Sequence, residues 1–185
     1  MRRCNARLVF VLLLSLSLTA CASFWLSDGL SLLKIAPDAF ETRTVEQRVA
    51  IAWPGGQKTL EAVLDIHPDS LTVIGLAFGV RLFSFDYDGE KIILTQPLRG
   101  RLSATRIVND MLMVYAPLDA LADALPTGWT VCEKQQMRQV FQDERLAVSI
   151  HYPEGSPWQG RVVLDNHALG YQLTLDSREV TADEP

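Results

Sequence analysis

Cysteine, basic residues and long apolar runs are all scarce in this sequence. Its three cysteines, Cys4, Cys21 and Cys132, are far from the Cys-x-x-Cys spacing of a zinc site. Its 17 basic residues are outnumbered by 22 acidic ones. Nucleic acid is bound by clusters of Lys and Arg, so we expect no nucleic-acid partner. Beyond residue 21 no apolar run approaches the roughly 20 residues of a membrane-spanning helix, so we expect the rest of the chain not to cross a membrane.

Catalytic motifs are lacking as well. The three histidines, His67, His151 and His167, include no i, i+4 pair for a metal, and His67 and His151 are expected at the surface. There is no Gly-x-Ser-x-Gly nucleophile elbow and no phosphate-binding glycine pattern. A hydrolase would need a nucleophile beside His67 or His151. We expect no enzymatic activity, no metal and no cofactor.

The N-terminal segment has the pattern of an export signal. Three arginines in the first seven residues precede an apolar run over residues 8–18, which ends in Leu-Thr-Ala before Cys21. This ending resembles the lipobox of bacterial lipoproteins. The resemblance implies that residues 1–20 are a signal peptide and that Cys21 becomes the lipid-carrying first residue. Ala22, rather than aspartate, resembles lipoproteins sent to the outer membrane.

Removal of residues 1–20 leaves 165 residues, which fits one domain of common size. We expect a lipidated tether over residues 21–31, a domain over residues 32–180 and a frayed tail over residues 181–185. This part carries 14 basic and 22 acidic residues, a formal charge of −8, so membrane attachment must come from the acyl chains.

One cysteine, Cys132, stays unmodified in the processed chain and has no partner for a disulfide. It is either a small buried apolar residue or a reactive thiol, and we favour the buried residue.

Alternation of apolar and polar residues predicts strands on both sides of a helical region. The strands predicted before it span residues 48–53, 60–67, 71–74, 80–87 and 91–95, and Asp88-Gly89 is a hairpin signal. The strands predicted after it span residues 138–141, 146–152, 160–164 and 171–175. Turns are predicted at 153–155, 165–166 and 176–177.

The helical region between the strand blocks reads as two short helices. Ser103 is a suitable cap for the first, and Pro117 ends it and begins the second. The acidic residues of these helices are expected on a solvated face: Asp110, Asp119 and Asp123. The fold class predicted is α+β, a curved antiparallel sheet with a two-helix lid inserted between two strand blocks.

Several short segments resemble known families. Residues 107–111, 116–121 and 125–126 (Ile-Val-Asn-Asp-Met, Ala-Pro-Leu-Asp-Ala-Leu and Leu-Pro) resemble the LolA/LolB group of lipoprotein carriers and receptors. A closer resemblance is to an uncharacterised family of short bacterial lipoproteins, often encoded beside aryl-polyene pigment biosynthesis genes. That resemblance is carried by Gln47 and by residues 83–89, 107–112, 164–166 and 170–171. It implies a LolB-like half-barrel.

The loop predicted at residues 75–79 is apolar and flanked by glycines. In LolB-type receptors an exposed leucine on a loop between early strands serves lipoprotein insertion, and here Leu76 or Phe78 would take that place. An exposed apolar loop is costly unless it is used. The alternative, which we favour from sequence, is that these residues continue a buried strand through a bulge.

The inner face of the predicted half-barrel is either a packed core or a ligand cavity. The residues expected to line it are Leu64, Ile66, Phe83, Phe85, Ile107, Met111, Leu112, Tyr115, Leu118, Leu121, Val148 and Ile150. We expect a monomeric, periplasm-facing outer-membrane lipoprotein that binds and hands over a hydrophobic ligand, either a lipoprotein acyl chain or an aryl-polyene lipid. The alternative is a structural or assembly lipoprotein with a closed core that recruits envelope proteins.

Overall fold

The computed structural model of the protein describes residues 30–96 and 103–180. The predicted signal peptide, Cys21 with the tether up to residue 29, and the tail after residue 180 lie outside the described residues, and their roles stay predictions. Within the described ranges, no helix has the length and apolar character needed to span a bilayer.

Ten strands form one curved, open antiparallel sheet in the order β5-β4-β3-β2-β1-β10-β9-β8-β7-β6. The strands are β1 (Arg43–Trp53), β2 (Gly56–His67), β3 (Ser70–Ala77), β4 (Val80–Tyr87), β5 (Ile92–Gln96), β6 (Trp129–Lys134), β7 (Met137–Gln142), β8 (Arg145–His151), β9 (Gly160–Asn166) and β10 (Tyr171–Val180). Two short helices, α1 (Ala104–Tyr115) and α2 (Leu118–Ala124), follow β5, and a 3₁₀ turn (Pro37–Ala39) precedes β1.

The predicted α+β fold with a two-helix lid between two strand blocks is wrong. The blocks are a single sheet because β1 pairs with β10 along nine residue pairs, from Thr44 opposite Val180 to Ala52 opposite Gln172. Segments so distant in sequence leave no local sequence signal that they pair. The helical region therefore suggested two separate strand blocks, although all ten strands belong to one sheet. The helices amount to 12 and 7 residues beside this sheet.

Helix α1 is part of the core and not a lid with a solvated face. Ser103 accepts a hydrogen bond from the Arg106 backbone N–H and caps its N-terminus, as predicted. The buried residues of α1 lie on most sides of the helix and include polar ones. They are Val108, Asn109, Asp110, Leu112, Met113, Val114 and Tyr115. The predicted solvated position of Asp110 is therefore wrong.

The last turn of α1 is bonded to the sheet by two side chains. Arg138 Nη1 donates to the Met113 carbonyl at 2.7 Å, and the Tyr152 hydroxyl donates to the Val114 carbonyl at 2.8 Å. The final carbonyls of a helix have no partner within the helix. These two strand-side residues therefore satisfy them and fix the helix against β7 and the end of β8.

Residues 30–36, here called the strap, cross the concave side of the sheet before the chain enters β1. Leu30, Leu33 and Ile35 are 7%, 2% and 4% exposed and belong to the same hydrophobic core as α1. The strap is extended but is not a strand of the sheet. Together, α1 and the strap fill the concave face.

Strand boundaries differ from the prediction in the second half of the chain. The turns predicted at residues 165–166 and 176–177 are wrong, because β9 runs to Asn166 and β10 to Val180. Strand β6 was not predicted. Its edge position leaves most of its side chains exposed, so it lacks a clear apolar alternation.

Candidate functional site

The β3–β4 hairpin ends in a fully exposed phenylalanine. Phe78 and Gly79 form its two-residue tip, with φ of 52° and 73°. Asn-Gly is the pair that such positive-φ turns favour, so a phenylalanine here is unfavourable for the backbone and buries nothing in this fold. A second role is the simplest reason for its presence.

Exposed apolar residues continue from the hairpin tip along β4 to the edge strand β5. They are Val80, Leu82, Ile93 and Leu94. Leu82 stands at a β-bulge, because Gly75 pairs with Phe83 while Leu76 pairs with Arg81. We call these residues together with Phe78 the apolar edge (Phe78, Val80, Leu82, Ile93 and Leu94). Val80 and Leu82 lie next to the tip, whereas Ile93 and Leu94 lie farther along, opposite Asp86 and Phe85, and point to opposite faces of the sheet.

The structure places the two loop residues proposed to reach a membrane in different settings. Leu76 lies within β3 and is half-buried, whereas Phe78 projects from the tip. The strand does continue through a bulge, as the alternative interpretation expected, but it ends at Ala77. Gly75 is required there, since a Cβ at that position would lie 2.3 Å from the Phe83 ring.

The residues predicted to line a ligand cavity come together as one packed core. Nine of them are buried: Leu64, Ile66, Phe83, Phe85, Leu112, Tyr115, Leu121, Val148 and Ile150. Ile107 and Met111 are half-buried against the core, and Leu118 is exposed. Their role in ligand binding stays a prediction, but in this structure they pack against one another.

A cleft of about 190 Å³ opens beside α1, next to the first residue of the strap. Val148 is the one predicted ligand residue among those that line the cleft. Its apolar walls include Leu30, Met113, Trp129 and Leu169, and its polar residues are Arg106, Asn109, Asp110, Gln142 and Asn166. The cleft is thus apolar at the sides, with a polar patch from α1 and β9.

Asp110 is the centre of that polar patch. Its Oδ2 accepts a 2.6 Å hydrogen bond from the Tyr171 hydroxyl, which in turn accepts from Asn166 Nδ2 at 3.1 Å. Burial raises the pKa of the Asp110 carboxyl to about 7, against the opposing effects of the Tyr171 hydrogen bond and the Arg106 charge. The sequence gives no signal for this, because Asp110 reads as an ordinary helix-surface residue.

The structure contains one serine–histidine contact that the sequence did not suggest. Ser149 Oγ and His167 Nε2 are 2.8 Å apart at the surface of β8 and the β9–β10 turn. In residues 30–96 and 103–180 no carboxylate is bonded to the His167 ring. His67 and His151 are exposed, as predicted. The pair therefore lacks the orienting group of a catalytic triad.

Cys132 and the acidic residues offer no metal site in the described ranges, where no group of His, Cys, Asp and Glu could hold an ion. Cys132 is exposed on the edge strand β6, so the prediction that it is buried is wrong.

A family model described as "Protein of unknown function (DUF3261)" matches residues 44–179. The chain belongs to this family. The match runs from the start of β1 to the end of β10, so the DUF3261 domain comprises the whole sheet with both helices. The strap precedes the matched region, although it packs into the domain's core. No curated protein is similar enough to be matched to the chain.

Proposed function

We propose that this protein is an outer-membrane-anchored periplasmic lipoprotein that hands a hydrophobic ligand to the membrane without bond chemistry. The observation that carries the proposal is Phe78, fully exposed at the tip of a tight hairpin. Transfer of such a side chain from water to an apolar medium is worth about 1.5–3 kcal/mol. A lipid surface is the partner that fits this tip and the apolar edge beside it.

The topology supports contact between the tip and the anchoring membrane. Leu30 lines the cleft together with Ala168 and Leu169 of the β9–β10 turn, and that turn lies at the same end of the sheet as the β1–β2 turn and Phe78. Eight residues lie between Cys21 and Leu30, so the nine steps from one to the other reach at most about 32 Å. Lipid on Cys21 would therefore hold this end of the domain near the bilayer.

The resemblance to LolA/LolB carriers and to aryl-polyene-associated lipoproteins supplies the ligand class: a lipoprotein acyl chain or an aryl-polyene lipid. Both ligands are long and apolar, and burying each methylene of such a chain contributes roughly 0.8 kcal/mol. The anchor, the outer-membrane location and the monomeric state are parts of the same proposal.

The second candidate is a structural or assembly lipoprotein that recruits envelope proteins. The packed core favours it, because the residues expected to line a cavity fill the concave face instead. On this alternative the apolar edge contacts a protein, and nothing binds inside.

Transfer of a fluorescent fatty acid from the full-length lipoprotein to vesicles separates the two candidates. We expect Phe78→Ser to slow transfer about tenfold, the factor that corresponds to 1.4 kcal/mol, while Kd for the fatty acid is unchanged. Met137→Ser is the matched control, since Met137 is an exposed apolar residue at the opposite end of the sheet. A wild-type protein that binds no fatty acid would support the structural candidate.

A further inference from the structure

The strap is held in the core without belonging to the sheet. Buried and exposed residues alternate along its second half: Leu33 and Ile35 are buried, as is Pro37 directly after the strap, and the residues between them are exposed. In every strand of the sheet, main-chain hydrogen bonds fix the chain. The strap instead depends on a few side chains of the domain.

Two residues bond to the backbone of the strap, and Glu90 pairs with its exposed Lys34 side chain. Asn109 of α1 accepts from the Leu33 backbone N–H and donates to the Ser31 carbonyl, both at 2.9 Å. The Tyr87 hydroxyl of β4 accepts from the Ile35 N–H at 3.0 Å and donates to the Leu33 carbonyl at 2.8 Å. Each side chain therefore satisfies one donor and one acceptor of an extended chain.

The strap borders the open cleft at its first residue. Leu30 is both a core residue and a wall of that cleft, and Asn109 lines the cleft while it holds Leu33 and Ser31. If residues 30–35 left, the cleft would lengthen into a groove between α1 and the strands, reaching from Trp129 to Tyr87. Its floor would be apolar, with Asn109 and Tyr87 as polar points.

We propose that this groove is the binding site for the acyl chain of the ligand, and that the strap is its displaceable occupant. This inference rests on the proposed function and gives it a site. An extended apolar chain takes the place of Leu30, Leu33 and Ile35 in the core, while Asn109 and Tyr87 form their hydrogen bonds with the strap and not with the ligand. The packed core is then the unliganded state.

Weakening the strap should tighten ligand binding, because the ligand competes with it. One intramolecular hydrogen bond contributes about 1 kcal/mol. Tyr87 and Asn109 each make two such bonds to the strap. Loss of either side chain's contacts should therefore lower Kd for an acyl ligand by up to about thirtyfold. Thr44→Val is the matched control, since it removes a 2.8 Å hydrogen bond to Asp65 that involves no strap residue.

The experiment uses the full chain and cis-parinaric acid as the probe. Binding is measured by fluorescence for wild type, Tyr87→Phe, Asn109→Ala and Thr44→Val, and amide hydrogen exchange is measured at Leu33 and Ile35 with and without the probe. We expect tighter binding in the two strap variants only, and faster exchange of both amides when wild type is loaded.

The outcomes keep the inference and the proposed function apart. Probe binding to wild type with unchanged Leu33 and Ile35 exchange would overturn the strap site and leave the proposed function standing. Absence of binding in wild type and in both strap variants would overturn both. If a variant does not fold, exchange in loaded wild type still decides the question.

Discussion

Asp110 shows how one buried side chain sets a property of the whole protein. Its carboxyl is buried beside Tyr171, and its pKa is raised from an ordinary 3.8 to about 7. Between these values the unfolded chain has lost the proton while the folded chain keeps it. Since the unfolded state then binds fewer protons, stability falls as pH rises from about 4 to 7 and is level above that range.

Replacing the carboxyl by an amide should remove this pH dependence. In wild type we expect the unfolding free energy to fall by on the order of 4 kcal/mol over this pH range. We expect Asp110→Asn to remove most of this fall, so that the variant is the more stable protein at pH 8. Urea unfolding midpoints from pH 4 to pH 8 measure this pH dependence of stability. Asp123→Asn, at an exposed position, should keep the wild-type profile, and an equal profile for Asp110→Asn would refute the assignment.

At the scale of the element, α1 depends on strand residues for its C-terminal carbonyls. Tyr152→Phe keeps the ring but leaves the buried Val114 carbonyl without its donor. We expect unfolding free energy to drop by about 1–3 kcal/mol. Chemical denaturation measures the change, and Ser149→Ala, which removes a surface hydroxyl, should stay within about 0.5 kcal/mol of wild type. Equal stability of the two variants would contradict the role given to Tyr152.

Strands and helices were predictable from the sequence where apolar residues alternate clearly or where capping residues and prolines mark a boundary. Val80–Tyr87 was predicted with the observed limits because its apolar alternation is clear, and Ser103 with Pro117 marked the helix boundaries. Strand β6 was missed because exposure weakens its alternation. The extension of β9 was missed because Asp165 and Asn166 are residue types typical of turns, although Asn166 is buried in the strand. Exposure of an apolar loop residue, Leu76 or Phe78, was the less favoured of two alternatives from the sequence, and the structure shows that Phe78 is exposed. The Asp110 cleft and the strap depend on contacts between distant residues.

At the scale of the molecule, Gln47 joins the two halves of the sheet to the helix. Its buried amide Nε2 donates to the Tyr115 hydroxyl of α1 and, at 2.8 Å, to Ser177 Oγ of β10. The residue lies on β1, directly opposite Ser177 in the β1–β10 pairing. This one side chain therefore connects the segments whose pairing makes a single sheet.

Removing that amide tests whether the sheet unfolds as one unit. We expect Gln47→Ala to lower the unfolding free energy by about 1–3 kcal/mol, since buried polar groups lose their partner, with an unchanged denaturant m-value. Far-UV circular dichroism and tryptophan fluorescence should give coincident transitions. Separate transitions would show that β1–β5 and β6–β10 unfold independently.

The strap also determines where mechanical force enters the protein. If Cys21 carries the lipid, tension between bilayer and domain reaches residues 30–36 before it reaches any strand. Asn109 and Tyr87 hold the strap at successive points, so their bonds would yield one after another before the force reaches β1. A membrane that draws away from the domain would then peel the strap and leave the sheet folded.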